Sequence, residues 1–140
     1  MSAITVTARN VGVVENLPHK IIPMRAAAAI TRGQAIYQTA LGKGDLADAN
    51  GSGTIQFRGI ALDTKAAGEI FNLLIEGPME GADLSALDFD APVYLSNTAG
   101  GLDTAAGGTT VIVGRVMALT EGAAGKKVLY VQADWLHVWA

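Results

Sequence analysis

Ile55-Gln56-Phe57-Arg58-Gly59-Ile60-Ala61-Leu62 is answered 57 residues later by Ile112-Val113-Gly114-Arg115-Val116-Met117-Ala118-Leu119. Ile, Arg, Ala and Leu recur at the same places in both stretches. The correspondence spreads outward from there. Tyr37 falls on Tyr94, Gly44 on Gly101, Ala49 on Ala106 and Gly51 on Gly108, while Ala66-Ala67-Gly68 falls on Ala123-Ala124-Gly125. Residues 34–74 and 91–131 thus share 11 identities in 41 ungapped pairs, where this composition alone gives roughly three or four. The order of element types repeats as well: a strand ending in Tyr, a Gly/Ala/Asp loop, a strand through Arg and Ala-Leu, an Ala-Ala-Gly turn and another strand. One reading is a duplicated antiparallel unit whose two copies cover each other's apolar faces, since neither can bury a core alone. The other is convergent patterning in a β chain of low complexity.

Period-two alternation dominates elsewhere. Ile4-Thr5-Val6-Thr7 and Ile55 to Arg58 alternate apolar with polar residues. Gln34 to Gln38, Pro92 to Leu95, Val111 to Leu119 and Lys127 to Ala133 are short runs rich in Ile, Val and Tyr, bounded by turn formers. All predict strands. Gly42 to Gly53 and Asn97 to Gly108 predict long loops. Helix signals are confined to a turn at Asp83 to Leu87 and a turn or two at Met24 to Ile30, where four alanines stand between Pro23 and Gly33. Residues 1–24 fall outside the repeat and read as an N-terminal arm, with residues 25–140 forming one β-rich domain. The expected fold is mainly β: a small β-barrel or β-tulip-like domain, with an extended arm and at most one or two short helical turns.

Composition bounds the function. Alanine and glycine supply 24 and 17 of the 140 residues, half of the chain is hydrophobic, aromatics are 6% and charged residues 16%. High hydrophobicity with a net charge of -3 argues against disorder. With no cysteine, disulfides and thiolate-ligated metals are impossible. No basic run offers a footprint for nucleic acid. The N-terminus lacks the apolar run of a secretory signal, and no apolar stretch has the length of a membrane span. Intracellular synthesis is the default.

Searches for catalytic chemistry return little. His19 and His137 are the only histidines, and neither sits in a motif. Ser2, Ser52, Ser85 and Ser96 are not in a nucleophile elbow. Gly42-Lys43-Gly44 lacks the Lys-Ser/Thr ending of a phosphate loop. Asp48-Ala49-Asn50-Gly51 resembles part of a calcium loop, but that register puts Leu46 and Phe57 where carboxylates are needed. Asp83, Asp88 and Asp90 cluster, yet polar residues capping turns account for them. The expectation is a non-enzyme with no metal and no cofactor.

Both termini suggest protein contacts. The C-terminus carries both tryptophans, and a strand there would set Trp135, His137 and Trp139 on one face. They are candidates for a subunit interface, with a core plug as the alternative. The arm residues Ile4, Val6, Val11, Val13 and Val14 could add a strand to another protein's sheet.

Several runs resemble the capsid cement or head decoration proteins of tailed phages. They are Ile30-Thr31-Arg32-Gly33-Gln34-Ala35-Ile36-Tyr37, Arg58-Gly59-Ile60-Ala61-Leu62-Asp63, Ala66-Ala67-Gly68-Glu69 and Leu73-Leu74-Ile75-Glu76-Gly77. In the second half they are Asp90-Ala91-Pro92-Val93-Tyr94-Leu95 continuing to Gly101, Val113 to Leu119, and Lys127 to Val131. The resemblance covers Ile30 to Val131 and leaves out the terminal Trp-Leu-His-Val-Trp segment. It implies a homotrimer on the outer surface of a virion head, bound to the major capsid protein, partly through the arm, and stabilising the expanded shell. It implies no direct contact with nucleic acid or membrane. A phage tail, fibre or spike component, or a small-ligand-binding β-barrel, are the alternatives.

Overall fold

A computed structural model describes residues 3–14, 17–51, 53–119 and 126–139. Its strands are β1 (Ala3–Ile4), β2 (Gly12–Val13), β3 (Lys20–Ala26), β4 (Ala35–Gln38), β5 (Lys43–Leu46), β6 (Gly59–Ala61), β7 (Ile70–Glu80), β8 (Pro92–Leu95), β9 (Leu102–Asp103), β10 (Ile112–Leu119) and β11 (Lys126–Gln132). The domain is mainly β, and its regular helical structure among the described residues is a single 3-10 turn at Ala8–Asn10.

The first half pairs in the order β5-β4-β6-β7 and the second in the order β9-β8-β10-β11, every pair antiparallel. The registers refine the correspondence between the halves. Gly59 faces Ile36 and Gly114 faces Val93, so the two glycines are counterparts in the ladders. Arg58 and Arg115, which match in sequence, lie on opposite sides of their glycines. The matched triplet Ala123-Ala124-Gly125 lies outside the described residues.

β7 is the spine. Along one edge it pairs with β3 and then β2, along the other with β6 and then β11. β3 also runs parallel to β5, which closes a ring β7-β3-β5-β4-β6. The ring is not a true barrel; three of its pairings, β3–β5, β4–β6 and β6–β7, are only two residue pairs long. Met24, Ala26, Ile30, Ile36, Ala61, Phe71 and Leu73 form one buried cluster among the ring strands. A larger one, including Phe57, Ile60, Leu74, Val93, Leu95, Val113, Leu129 and Val131, joins the two halves. Each large side chain so buried contributes about 1.5–3 kcal/mol. With few aromatics available, many small aliphatic contacts do this work.

Several expectations are corrected. Met24 to Ala26 continue β3 rather than opening a helix, because Met24 and Ala26 point into the buried cluster and their register on β7 is fixed by Phe71 and Ile70. Pro23 is tolerated because β5 reaches only Arg25 and Ala26, leaving β3 a single partner at Pro23. The two long loops each contain a strand, β5 and β9. Ile55 to Arg58 alternate in burial without joining a ladder.

The N-terminal segment is not a free arm. Ala3 and Ile4 pair with β9, Val6 bridges Ala82, and Gly12 and Val13 pair with β7. The Thr7 N–H donates to the Gly81 carbonyl and the Asp83 N–H to the Thr5 carbonyl, both at 2.9 Å. Ile4 and Val11 are only 8% and 5% exposed. Gly81, at φ +104, lets the Val11 backbone approach so closely that an added Cβ would stand 2.8 Å from its Cα. Val6 and Val13 pack against the larger core, and the Val14 N–H donates to Pro78. The alternation read as an exportable strand is spent on this chain's own sheet edge.

Candidate binding groove beside the C-terminal strap

The groove starts from a β-bulge. β10 pairs Ile112 with Tyr94 but Gly114 with Val93, so β10 carries one residue more than β8 across this step. Bulges re-aim side chains. Here Val111 and Val113 are both fully buried, while Ile112 turns outward at 38% exposure, on the side of exposed Arg115. Gly114 lies between them. An added Cβ there would stand 2.0 Å from the Tyr130 carbonyl oxygen, so only glycine lets β10 and β11 close up. Gly59 meets the Leu74 carbonyl in the same way, at 2.6 Å.

Arg115 pairs across the ladder with Tyr130, and Gln132 follows on the same face. One Arg115 nitrogen donates to the Asp90 carbonyl at 2.8 Å. The Tyr130 hydroxyl donates to Glu76 Oε2 at 3.2 Å. Burial, then the Glu76 charge and this bond, raise the Tyr130 phenol above its ordinary range. Beyond Gln132 the chain leaves the sheet. The Leu136 N–H donates to Asp134 Oδ1 and the His137 N–H to the Asp134 carbonyl, which makes a turn. The strand expected over Trp135 to Trp139 is therefore absent, because Asp134 captures these N–H groups for its own turn.

Gln56 and Arg58, in the run Ile55 to Leu62, hold this C-terminal strap. Arg58 donates to the carbonyls of Asp134 and His137, each at 3.1 Å. Its guanidinium carbon lies 5.9 Å from the Trp135 ring centre and 5.8 Å from that of Trp139. The Trp135 indole N–H donates to the Arg58 carbonyl at 2.9 Å. Gln56 clamps the Trp139 backbone at both ends, accepting from its N–H at 2.9 Å and donating to its carbonyl at 2.7 Å. Burial draws the Arg58 pKa down, and Asp134 opposes the shift. The His137 ring meets Trp139 edge-on at 4.7 Å. Both tryptophans are half-buried against the core, whereas Leu136 and Val138 stand 94% and 72% exposed.

Between strap and sheet lies an open groove of about 470 Å3, lined by Thr110, Ile112, Gly114, Arg115, Tyr130, Gln132, Asp134, His137 and Trp139. Of the interface candidates, His137 and Trp139 line it, while Trp135 lines a separate hollow with Lys20 and Glu76. Arg58 and Gln56 were missed in sequence because they occupy the polar side of an alternating run, which reads as a solvent face. The usable signal was two tryptophans at one end of an aromatic-poor chain, which need a partner for their N–H groups and ring faces.

Several other residues weighed in the sequence make local hydrogen bonds. Asp83 caps a turn, accepting from the Ser85 N–H and hydroxyl, and these bonds hold its carboxyl below the usual range. Asp48 accepts from Asn50 N–H and the Thr54 hydroxyl. His19 hydrogen-bonds the Leu17 carbonyl. Ser96 accepts from Thr98 N–H. Ser2 and Ser52 lie outside the described residues. Among the described residues, no three His, Asp or Glu side chains gather as a metal site, and no helix is long and apolar enough to cross a membrane. Compared with protein-family models and with curated proteins, the chain matches none.

Proposed function

We propose that this protein is a structural component of a virion, a cement protein that docks on the outer surface of a phage head and bridges major capsid protein subunits, working as a homotrimer. The observation that carries this reading is the pinned strap. Trp135 and Trp139 are held from behind by Arg58 and Gln56, and Leu136 and Val138 are thereby displayed to solvent. Large apolar side chains on a rigid support are suited to contact with another protein, because little conformational freedom is lost on binding. The resemblance of Ile30 to Val131 to head decoration proteins supplies the partner. With Ile4 and Val11 occupied in the protein's own core, the contact falls to the strap rather than to an N-terminal arm. A ligand that binds only the expanded shell stabilises it by mass action, and three linked copies multiply modest contacts.

The test is co-sedimentation with expanded heads and with precursor shells, alongside the Leu136→Asp/Val138→Asp variant. The protein is expected to pellet with expanded heads alone, and the variant, folded as judged by circular dichroism, is expected to stay in the supernatant. Failure of the wild-type protein to pellet with any head form refutes the reading.

A further inference from the structure

We propose that the groove between β10, β11 and the strap binds a neutral carbohydrate. This goes beyond the structural role and does not depend on it. At about 470 Å3 the groove falls within the usual range for small-ligand sites. Gly114 and two aromatic residues, Tyr130 and Trp139, line it together with planar polar groups from Arg115, Gln132 and Asp134. Such walls suit a sugar, whose C–H faces lie against rings while its hydroxyls both donate and accept.

Hydrogen-bonding capacity remains for a ligand. Gln132 makes no side-chain hydrogen bond among the described residues, and Arg115 spends one nitrogen on Asp90. Charge also selects. The residues lining the groove include one cation, Arg115, and one carboxylate, Asp134, so they carry no formal excess of either sign, which favours a neutral ligand over an anion. The walls are preorganised: Gln56 fixes the Trp139 backbone and His137 abuts its ring, so binding need not order them.

Two competing uses fit less well. An extended peptide would need an unpaired strand edge. Beside the groove, β10 is paired on both sides by β8 and β11, and β11 by β10 and β7. Glycoside cleavage would need two carboxyl groups flanking the bond. Among the described residues Asp134 is the one carboxylate lining this groove, so the pair that cleavage needs is not part of the proposal.

The two tryptophans make the test specific. Trp135 gives its indole N–H to Arg58 and lines a different hollow, so its NMR signal serves as an internal control. Full-length protein is titrated with maltohexaose, cellohexaose and chitotetraose up to about 10 mM, which saturates a millimolar site. At least one sugar is expected to shift the Trp139 indole signal saturably and leave Trp135 in place. Arg115→Ala and Gln132→Ala, both at exposed positions, are each expected to weaken that binding about tenfold or more, corresponding to a lost hydrogen bond of about 1.4 kcal/mol, with amide spectra otherwise unchanged. The proposal is overturned if no sugar gives a saturable shift, if both indoles move together, if neither variant weakens binding, or if an unrelated extended peptide shifts Trp139 as strongly. Should one variant fail to fold, the other decides.

Discussion

Arg58→Ala removes the pin of the C-terminal strap without touching the sheet. The side chain is half-buried and donates to the exposed backbone carbonyls of Asp134 and His137. Those acceptors regain water once the guanidinium is gone, so each bond is worth about 1 kcal/mol rather than a full desolvation penalty. The two ring contacts add about 0.5 kcal/mol each at such exposure. The expected loss is about 3 kcal/mol, reduced to about 2 kcal/mol if the contacts overlap. Urea unfolding followed by tryptophan fluorescence measures it directly. Carboxypeptidase digestion reports the strap separately, because Gln56 and the Trp135 indole bond remain in the variant. Arg58→Lys is expected to recover less than half of the loss, since an ammonium cannot reach two carbonyls and lie against two rings at once. A variant within about 0.5 kcal/mol of the wild type, with its terminus equally resistant, would falsify the assignment of Arg58 as the pin.

Two further predictions concern other parts of the molecule. Ile4→Ala is expected to cost about 2–4 kcal/mol in a urea melt, and deletion of residues 2–16 to unfold the domain; a deletion mutant that melts like the full chain would mean that the segment is dispensable. Tyr130 is expected to ionise above the ordinary phenol range in an ultraviolet difference titration. Because its folded pKa is raised, the associated stability is fully present below the ordinary phenol value of about 10 and is lost as pH rises through the folded value. Glu76→Gln should bring Tyr130 ionisation to lower pH, and an unchanged titration would remove Glu76 from the explanation.

Local pattern and tertiary placement separate cleanly in this chain. β4, β8, β10 and β11 are legible because each lies in a short run rich in Ile, Val and Tyr that turn formers bound. β5 and β9 hid in Gly/Asp-rich loops, since their few residues are strand-like only through what they pair with. Ile4 to Thr7 read correctly as extended, but period two says nothing about whose sheet is joined. The four alanines misled because propensity counts for little where Met24 faces a buried Phe71. The groove was illegible for another reason. It depends on a bulge at Ile112 and a turn at Asp134, and neither shows in the apolar run 111–119 or in the strand-like spacing of 135–139.

The pairing of Ala3 with Asp103 sets a schedule for the chain's birth. Residues 20–80 hold every strand of the ring, so the ring can close while the second half is still unmade. β1 is made well before β9, its partner strand, and is among the last of these strands to find its place. At about 5–20 residues per second, Ile4 waits roughly 5–20 s for the strand that receives it. Gly12 and Val13 can pair with β7, and Val6 with Ala82, before that interval ends, so Ala3 and Ile4 alone wait for β9.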